Sequence, residues 1–488
     1  MTMVRDFIIG ISLAFSVFGI TQAPSAAVDP GPRPGASDAG GALQGLNEDE
    51  VNLFWAARDR FKEVASVSGS IANEKGIGLG PTFNGNSCAG CHAQPAAGGS
   101  SPSPRSPQLR QLSLQEGRLV LVPQTNPQEP LAKLDRVPGR DQTVPRFITS
   151  DGPVRVARLI KKPDGTLDGS VRNVFTIAGR IDADGCVLPQ PNFDQEMAKG
   201  NVAFRIPTPT FGTGLIEAVP DAMLIANLDR TAKQRHAMGI AGRFNRSSND
   251  GTISRFGWKA QSKSLLLSAA EAYNVEEGVT NDIFPDERDQ TSGCQFNKLP
   301  EDTTRLQLPS GLTDGPSGFA SDLVNFTSFM RLLAPPKPVA FSNSAQTGLE
   351  LFNSIGCALC HSQTLITGSS PLTGVSNIEI QPYSDFALHR MGPGLADDIS
   401  QGLAGGDEFR TAPLWGVGQR IFFLHDGRTS DLLVAIETHA SPDQNCRANS
   451  ISIALNEACN SEASAVIARF HALAASQKQD ILNFLRSL

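Results

Sequence analysis

The chain has 488 residues, 40% hydrophobic and 19% charged, with 46 Gly, 33 Pro and a formal net charge of −7. That length exceeds what one compact core organises, so two or three domains joined by long ordered loops are expected. The composition is that of an ordinary soluble globular protein, and the acidic balance excludes the footprint of a nucleic-acid binder.

Residues 1–27 read as an export signal: Arg5 is the positive start, Phe7 to Ile20 is apolar, and Ser25-Ala26-Ala27 is a small-residue cleavage site. The apolar run is short for a spanning helix, so cleavage near Ala27 is expected to release a soluble chain, periplasmic in a bacterium. A flexible segment is expected over residues 28–45. Val51, Phe54, Trp55, Phe61 and Val64 then recur at helical spacing ahead of Cys88-Ala89-Gly90-Cys91-His92. Pro95 to Pro107 is loop, and Arg118 to Val122 and Val154 to Ile160 read as short strands. Pro335-Pro336-Lys337-Pro338 marks a boundary between units spanning 46–335 and 336–488. A helix-compatible stretch, Ser344 to Phe352, precedes Cys357-Ala358-Leu359-Cys360-His361. Ser430 to His439 is helical, with Leu432, Ile436 and His439 on one face. A Ser476-capped amphipathic helix carrying Ile481, Leu482, Phe484, Leu485 and Leu488 closes the chain.

Two internal repeats organise these elements. Phe83-Asn84 precedes the first Cys-x-x-Cys-His and Gln94 follows it; Phe352-Asn353 and Gln363 hold the same offsets around the second. Downstream, Phe204-Arg205 and Pro209-Thr210-Phe211-Gly212-Thr213-Gly214 resemble Phe409-Arg410 and Pro413-Leu414-Trp415-Gly416-Val417-Gly418. The first copy lies much further from its Cys-x-x-Cys-His, so the N-terminal unit carries an insertion. The expected fold is mainly α: two cytochrome c-like haem domains, the N-terminal one enlarged by a loop-rich insertion with short β-strands.

In Cys-x-x-Cys-His the two thiols add to the vinyl groups of one haem, and the adjacent imidazole ligates its iron. Cys88, Cys91, Cys357 and Cys360 are thus expected to attach two haems covalently, with His92 and His361 as proximal ligands. A thioredoxin-like pair or half a zinc site requires no His beside the second Cys. The other four cysteines form an even set in an oxidising compartment, where disulfides persist. Proximity favours Cys446 with Cys459, leaving Cys186 with Cys294. For a second axial ligand, His439 sits beside two aliphatics on its helix face and is the leading candidate at the second haem. His236 falls near the same register of the repeat and is its counterpart at the first. His471 reads as structural.

The string Phe409 to Trp415, then Leu424-His425-Asp426-Gly427-Arg428 and Ala435-Ile436-Glu437-Thr438-His439, resembles the C-terminal haem domain of bacterial di-haem cytochrome c peroxidases. The chain resembles more closely the di-haem oxidoreductase family related to them. The marks are Gly78 to Asn84, Gly214-Leu215-Ile216-Glu217-Ala218, Arg255 to Ala260 and Tyr383 to His389. In the peroxidases a Met stands where His439 stands, and in related cofactor-maturation enzymes a Tyr does; His here implies a bis-His second haem with His361. The resemblance makes the His92 haem the reactive one, with Glu217 as its acid–base group. It implies that Arg205, Arg255 and Arg410 pair with haem propionates, and that His389, His425 and Asp426 are supporting groups, with Met391 a rival ligand. The peroxidases have a relay Trp between their haems; Trp258 is a substitute for it or a core residue. A calcium ion bridges the domains in relatives, although no ligand set for Ca2+ stands out here.

The expected function is a periplasmic oxidoreductase passing electrons from a small electron-transfer protein, a cytochrome or cupredoxin, through the C-terminal haem to hydrogen peroxide at the N-terminal one. A non-catalytic electron carrier and an oxidase of an organic or protein substrate are the alternatives.

Overall fold

The computed structural model describes residues 26–33, 39–102, 153–169, 171–172, 175–176, 181–186, 188, 192–297, 300–304, 320–440 and 461–488. The export signal, the strand expected over Arg118 to Val122, and Cys446 with Cys459 lie outside the described residues.

Asn47 opens helix α1 (Glu48–Phe61): its side chain accepts the Glu50 N–H while the Glu50 carboxylate accepts the Asn47 N–H, satisfying two helix-end donors reciprocally. Strand β1 (Thr82–Phe83) and the short helix α2 (Cys88–Cys91) follow. The insertion supplies β2 (Val156–Leu159), β3 (Val171–Arg172), β4 (Phe175–Thr176), α3 (Phe193–Ala198) and β5 (Val202–Arg205). Strand β2 is the centre of an antiparallel sheet ordered β3-β2-β5, and β1 pairs with β4. Next come α4 (Thr213–Glu217), α5 (Asp221–Ala237), α6 (Leu265–Glu276) and α7 (Asp322–Leu332). The second half contributes α8 (Asn343–Ile355), hairpin strands β6 (Leu365–Ile366) with β7 (Glu379–Ile380), and β8 (Leu388–Arg390) with β9 (Glu408–Arg410). It ends with α9 (Leu432–Thr438), α10 (Ser464–His471) and α11 (Ala475–Ser487). The described residues are mainly α with a few short strands. Helix α11 starts one residue before the expected Ser476 cap, where the Gln477 side chain accepts the Ala474 N–H.

The sequence repeats correspond to one arrangement built twice. In the first half α1 packs on α7, with Phe54 stacked 5.5 Å from Phe329 and Phe61 4.6 Å from it. In the second, α8 packs on α11, with Phe352 5.4 Å from Phe484. The repeated glycines mark where a backbone closes on the second helix of each pair. A Cβ on Gly214 would lie 2.0 Å from the Arg331 carbonyl oxygen, and one on Gly418 would lie 2.2 Å from that of Arg486. Gly212 and Gly416 hold φ of +65° and +73°, a left-handed conformation that favours glycine.

Residues 28–45, expected to be flexible, are anchored where they are described. Asp29 takes both Nε and Nη2 of Arg486 at 2.7 and 2.6 Å, each side chain only 5% exposed, and accepts the Leu432 N–H. Further on, Ala42 bridges to Leu333 and Leu43 donates to the Leu332 carbonyl. The segment thus crosses both helix pairs, and a paired buried carboxylate holds it there.

In the insertion a disulfide joins Cys186 to Cys294 within a cluster that includes Leu79, Phe83, Leu188 and Phe193. A buried ionic knot ties the insertion to the second half. Asp397 Oδ2 accepts from Arg205 Nε and Nη2 at 2.9 and 2.6 Å, and its Oδ1 lies 3.0 Å from Lys259 Nζ. Lys259 is fully buried, and its Nζ also donates to the Gly405 and Gly406 carbonyls. Asp397→Ala leaves two buried cations unpaired and is expected to lower stability by about 3–5 kcal/mol, read from the denaturant midpoint at constant m-value.

Candidate functional site

Each Cys-x-x-Cys-His run borders a cavity, and the two cavities are equal in size, about 220 Å³ each. Trp258 lines both. Its indole N–H donates to the Ile206 carbonyl at 2.8 Å, and the Arg420 guanidinium lies 5.7 Å from its ring. The tryptophan weighed in the sequence as relay or core therefore stands in the wall between the cavities.

Three histidines are set up alike. His92 Nδ1 donates to the Gly99 carbonyl at 3.0 Å, His361 Nδ1 to Tyr383 at 2.9 Å, and His439 Nδ1 to Ala435 at 2.7 Å. A carbonyl only accepts, so the proton sits on Nδ1 and Nε2 keeps the lone pair that binds a metal. Burial pushes His92 and His361 down to about 4 and lowers His439 as well, so all three are neutral at neutral pH.

The second cavity holds two of these imidazoles, His361 and His439. Asp431 caps α9 by accepting the Leu433 and Val434 N–H groups, which fixes the helix so that Leu432, Ala435, Ile436 and His439 all line that cavity. The first cavity has a single imidazole, His92, among its described lining residues. His236, the sequence counterpart of His439, is exposed near the end of α5 and lines neither cavity.

Carboxylates separate the cavities further. Glu271, Glu276 and Glu277, from the last turns of α6 and its end, line the first cavity. Burial pushes Glu277 up to about 8; its Oε1 accepts from Cys88 Sγ at 3.1 Å, and Glu276 accepts from Asn84 at 2.8 Å. Glu217 points elsewhere. Its carboxylate takes Arg331 Nε at 2.6 Å and the Leu265 N–H at 2.8 Å, so it caps α6 and pairs across to α7, and it is absent from the described lining of the first cavity. Sequence reasoning missed Glu277; its only signal was an adjacent pair of glutamates at the end of an apolar helix.

A haem is an apolar plate with two carboxylates, and buried cations without partners test the fit. Arg420 lines the second cavity with Nε and Nη2 buried and unpartnered, and Arg155 and Arg158 line the first with Nε in the same state. A native interior leaves few such donors unsatisfied, so each wall fits an anionic group. Of the arginines singled out in the sequence, Arg410 lines the second cavity but already donates to Gly257 and Thr411. Arg205 lines the first cavity but is committed to Asp397. Arg255 pairs with Asp221 and lines neither.

His389 lines the second cavity between Asp385 Oδ2 at 3.0 Å and Glu462 Oε2 at 2.7 Å, so both ring nitrogens are engaged by carboxylates. His425 stacks on Phe409 at 4.3 Å and lines the same cavity, as does Met391. Asp426 pairs with Arg428. Among the described residues the one grouping of His, Cys, Asp and Glu at ligating distances is Cys360, Asp385 and His389, which lacks the oxygen-rich set that calcium takes. No helix among the described residues is long and apolar enough to cross a membrane.

Two matched cavities, each with a cysteine pair, a neutral imidazole and a cationic wall, define a protein built around two prosthetic groups. The chain belongs to the di-haem oxidoreductase family: residues 159–472 match the family described as "Di-haem oxidoreductase, putative peroxidase". That span includes the second Cys-x-x-Cys-His and begins after the first. Among solved structures, a MauG-like protein associated with microbial copper homeostasis is similar over 58% of this chain and 90% of its own, at 16% identity. The TM-score is 0.28, too slight a likeness to define a shared fold. No curated protein matches the chain.

Proposed function

We propose that the chain is an exported, periplasmic di-haem c-type oxidoreductase that reduces hydrogen peroxide. Its two cytochrome c-like units, 46–335 and 336–488, each attach one haem, through Cys88 and Cys91 and through Cys357 and Cys360. His92 and His361 would hold the haem irons as proximal ligands, and His439 would be a further ligand at the second unit. Bound haems would supply electron storage and the iron that reacts with peroxide. Peroxide takes up two electrons and two protons and leaves as two waters. The electrons come one at a time from a small periplasmic electron-transfer protein, a cytochrome or cupredoxin, and enter at the second unit.

The observation that carries this reading is the asymmetry of the cavities. His361 and His439, each tied through Nδ1 to a backbone carbonyl, line the second together with His389, His425 and Glu462. The first has His92 as its one described imidazole, beside Glu271, Glu276 and Glu277. Two imidazoles saturate an axial pair and suit electron transfer, whereas buried carboxylates suit proton movement. Glu277 takes over the role that the sequence suggested for Glu217. As a carboxylate it accepts the proton of one peroxide oxygen and returns it to the departing one, while burial excludes water from the exchange. Arg155, Arg158 and Arg420 would hold the propionates. Trp258, which lines both cavities, provides the protein path between them.

Visible and EPR spectra of the oxidised and half-reduced protein, with and without peroxide, test the reading. One high-spin and one bis-His low-spin haem, with peroxide consumed, is the expected result. The buried Met330 thioether also lines the first cavity and favours the competing carrier reading. Two low-spin haems inert to peroxide in both redox states would establish the carrier and overturn the peroxidase.

A further inference from the structure

The chain contains two tyrosines, and their surroundings differ. Tyr383 packs its ring on Phe484 at 5.8 Å and lines neither cavity. Tyr273 lines the first cavity, is 5% exposed, and donates its phenol O–H to Asp322 Oδ2 at 3.2 Å. Asp322 is fixed in turn by Arg60, whose Nε and Nη2 each donate to it at 2.7 Å, and Arg60 Nη1 reaches Glu63 at 2.5 Å. The Asp322 side chain keeps 17% of its surface exposed, so it stays in contact with solvent.

A buried phenol gives up an electron readily only if it sheds its proton at the same time, because the oxidised phenol is a strong acid. A carboxylate at hydrogen-bond distance is the group that takes such a proton, and Asp322 is one, oriented by a two-point guanidinium clamp. Tyr273 also lies one helical turn before Glu277, on the same face of α6 and its end, so it borders the region where Glu277 moves protons. Its ring meets Phe326 edge-on at 4.9 Å, which holds it against the cavity.

We propose that Tyr273 is a redox-active residue of the first cavity. During peroxide reduction its phenol gives one electron to the first centre and its O–H proton to Asp322, which leaves a neutral tyrosyl radical. An electron from the donor protein and the proton held on Asp322 then restore the phenol. The net reaction is unchanged: one of the two electrons that peroxide takes up is lent by Tyr273, and the donor repays it. The inference rests on the peroxide reaction proposed at His92.

Freeze-quench EPR on the fully oxidised holoprotein mixed with peroxide, without donor, tests it. A radical signal that narrows when the protein is grown on ring-deuterated tyrosine is expected, retained in Tyr383→Phe and lost in Tyr273→Phe. Asp322→Asn is expected to lose it too, with the resting visible spectrum unchanged. Should Tyr273→Phe fail to fold, the deuterium narrowing in the unaltered protein and its persistence in Tyr383→Phe still assign the site. Peroxide consumed with no tyrosine-derived signal, or the same signal in Tyr273→Phe, overturns this inference alone and makes the Tyr273–Asp322 bond a structural tie between α6 and α7. No reaction with peroxide overturns it together with the function it rests on.

Discussion

His439→Ala is expected to abolish the low-spin EPR signal of the second haem and replace it with a high-spin one, leaving the first haem's spectrum unchanged. The imidazole contributes more than a ligand atom. Its Nδ1–H is tied to the Ala435 carbonyl at 2.7 Å, so ring orientation and tautomer are set before iron binds, and burial keeps it neutral. Alanine removes that nitrogen and leaves a gap beside Leu432 and Ile436 that His389 does not fill, because Asp385 and Glu462 hold it. His439→Met keeps a ligand but exchanges nitrogen for a thioether, which raises the midpoint potential of that haem. Redox titration of the two variants separates loss of ligation from change of ligand. If neither variant alters the low-spin signal, His439 is not the ligand.

Glu277→Gln is expected to slow the peroxide step by about 10²–10⁴-fold, the usual worth of a positioned acid–base group, with both resting haem spectra intact. Because burial pushes the Glu277 carboxyl up to about 8, the unaltered protein should react faster as pH rises through that value, where the carboxylate that accepts the peroxide proton forms. The variant should lose this limb. The same shift has a stability consequence of fixed sign. Folding raises the carboxyl above its unfolded value, so its contribution is fully present below the ordinary carboxyl range and is lost as pH climbs towards about 8. Thermal melts across that window should show a shallower decline in Glu277→Gln. Glu217→Gln is the matched control: it weakens the Arg331 pair and the cap on α6 and should cost about 1 kcal/mol of stability while leaving the peroxide rate alone.

Much of the framework is readable in the one-dimensional chain, because it depends on short-range spacing. The helix before each Cys-x-x-Cys-His follows from apolar residues three and four apart. The Pro-x-aromatic-Gly-x-Gly repeat is legible as a repeat, and the structure supplies its cause: Gly214 and Gly418 sit where a Cβ would strike the carbonyl of Arg331 or Arg486. The face of α9 is equally local, since Leu432, Ile436 and His439 are spaced to point one way.

The placement of the charged residues was not legible. Glu217, in a family-typical string, turns to Arg331, which lies 114 positions further along the chain. Arg255 turns to Asp221, whereas Arg420, with no sequence mark, is left facing the second cavity unpaired. Asp29, in a segment that reads as loose, is fixed by Arg486 from the far end of the chain. A buried charge goes where its counter-charge is, and that partner is chosen by packing between distant segments.

By itself, then, the sequence determined the two Cys-x-x-Cys-His runs, the helix before each and the His439 face, because motif spacing and helical period act within a few residues. Tertiary structure alone decided that Trp258 stands between the cavities, that Glu277 rather than Glu217 faces the first, and that Tyr273 meets Asp322 there. Those outcomes depend on which distant helices pack together, and on the rule that each buried polar group must find a partner once they do.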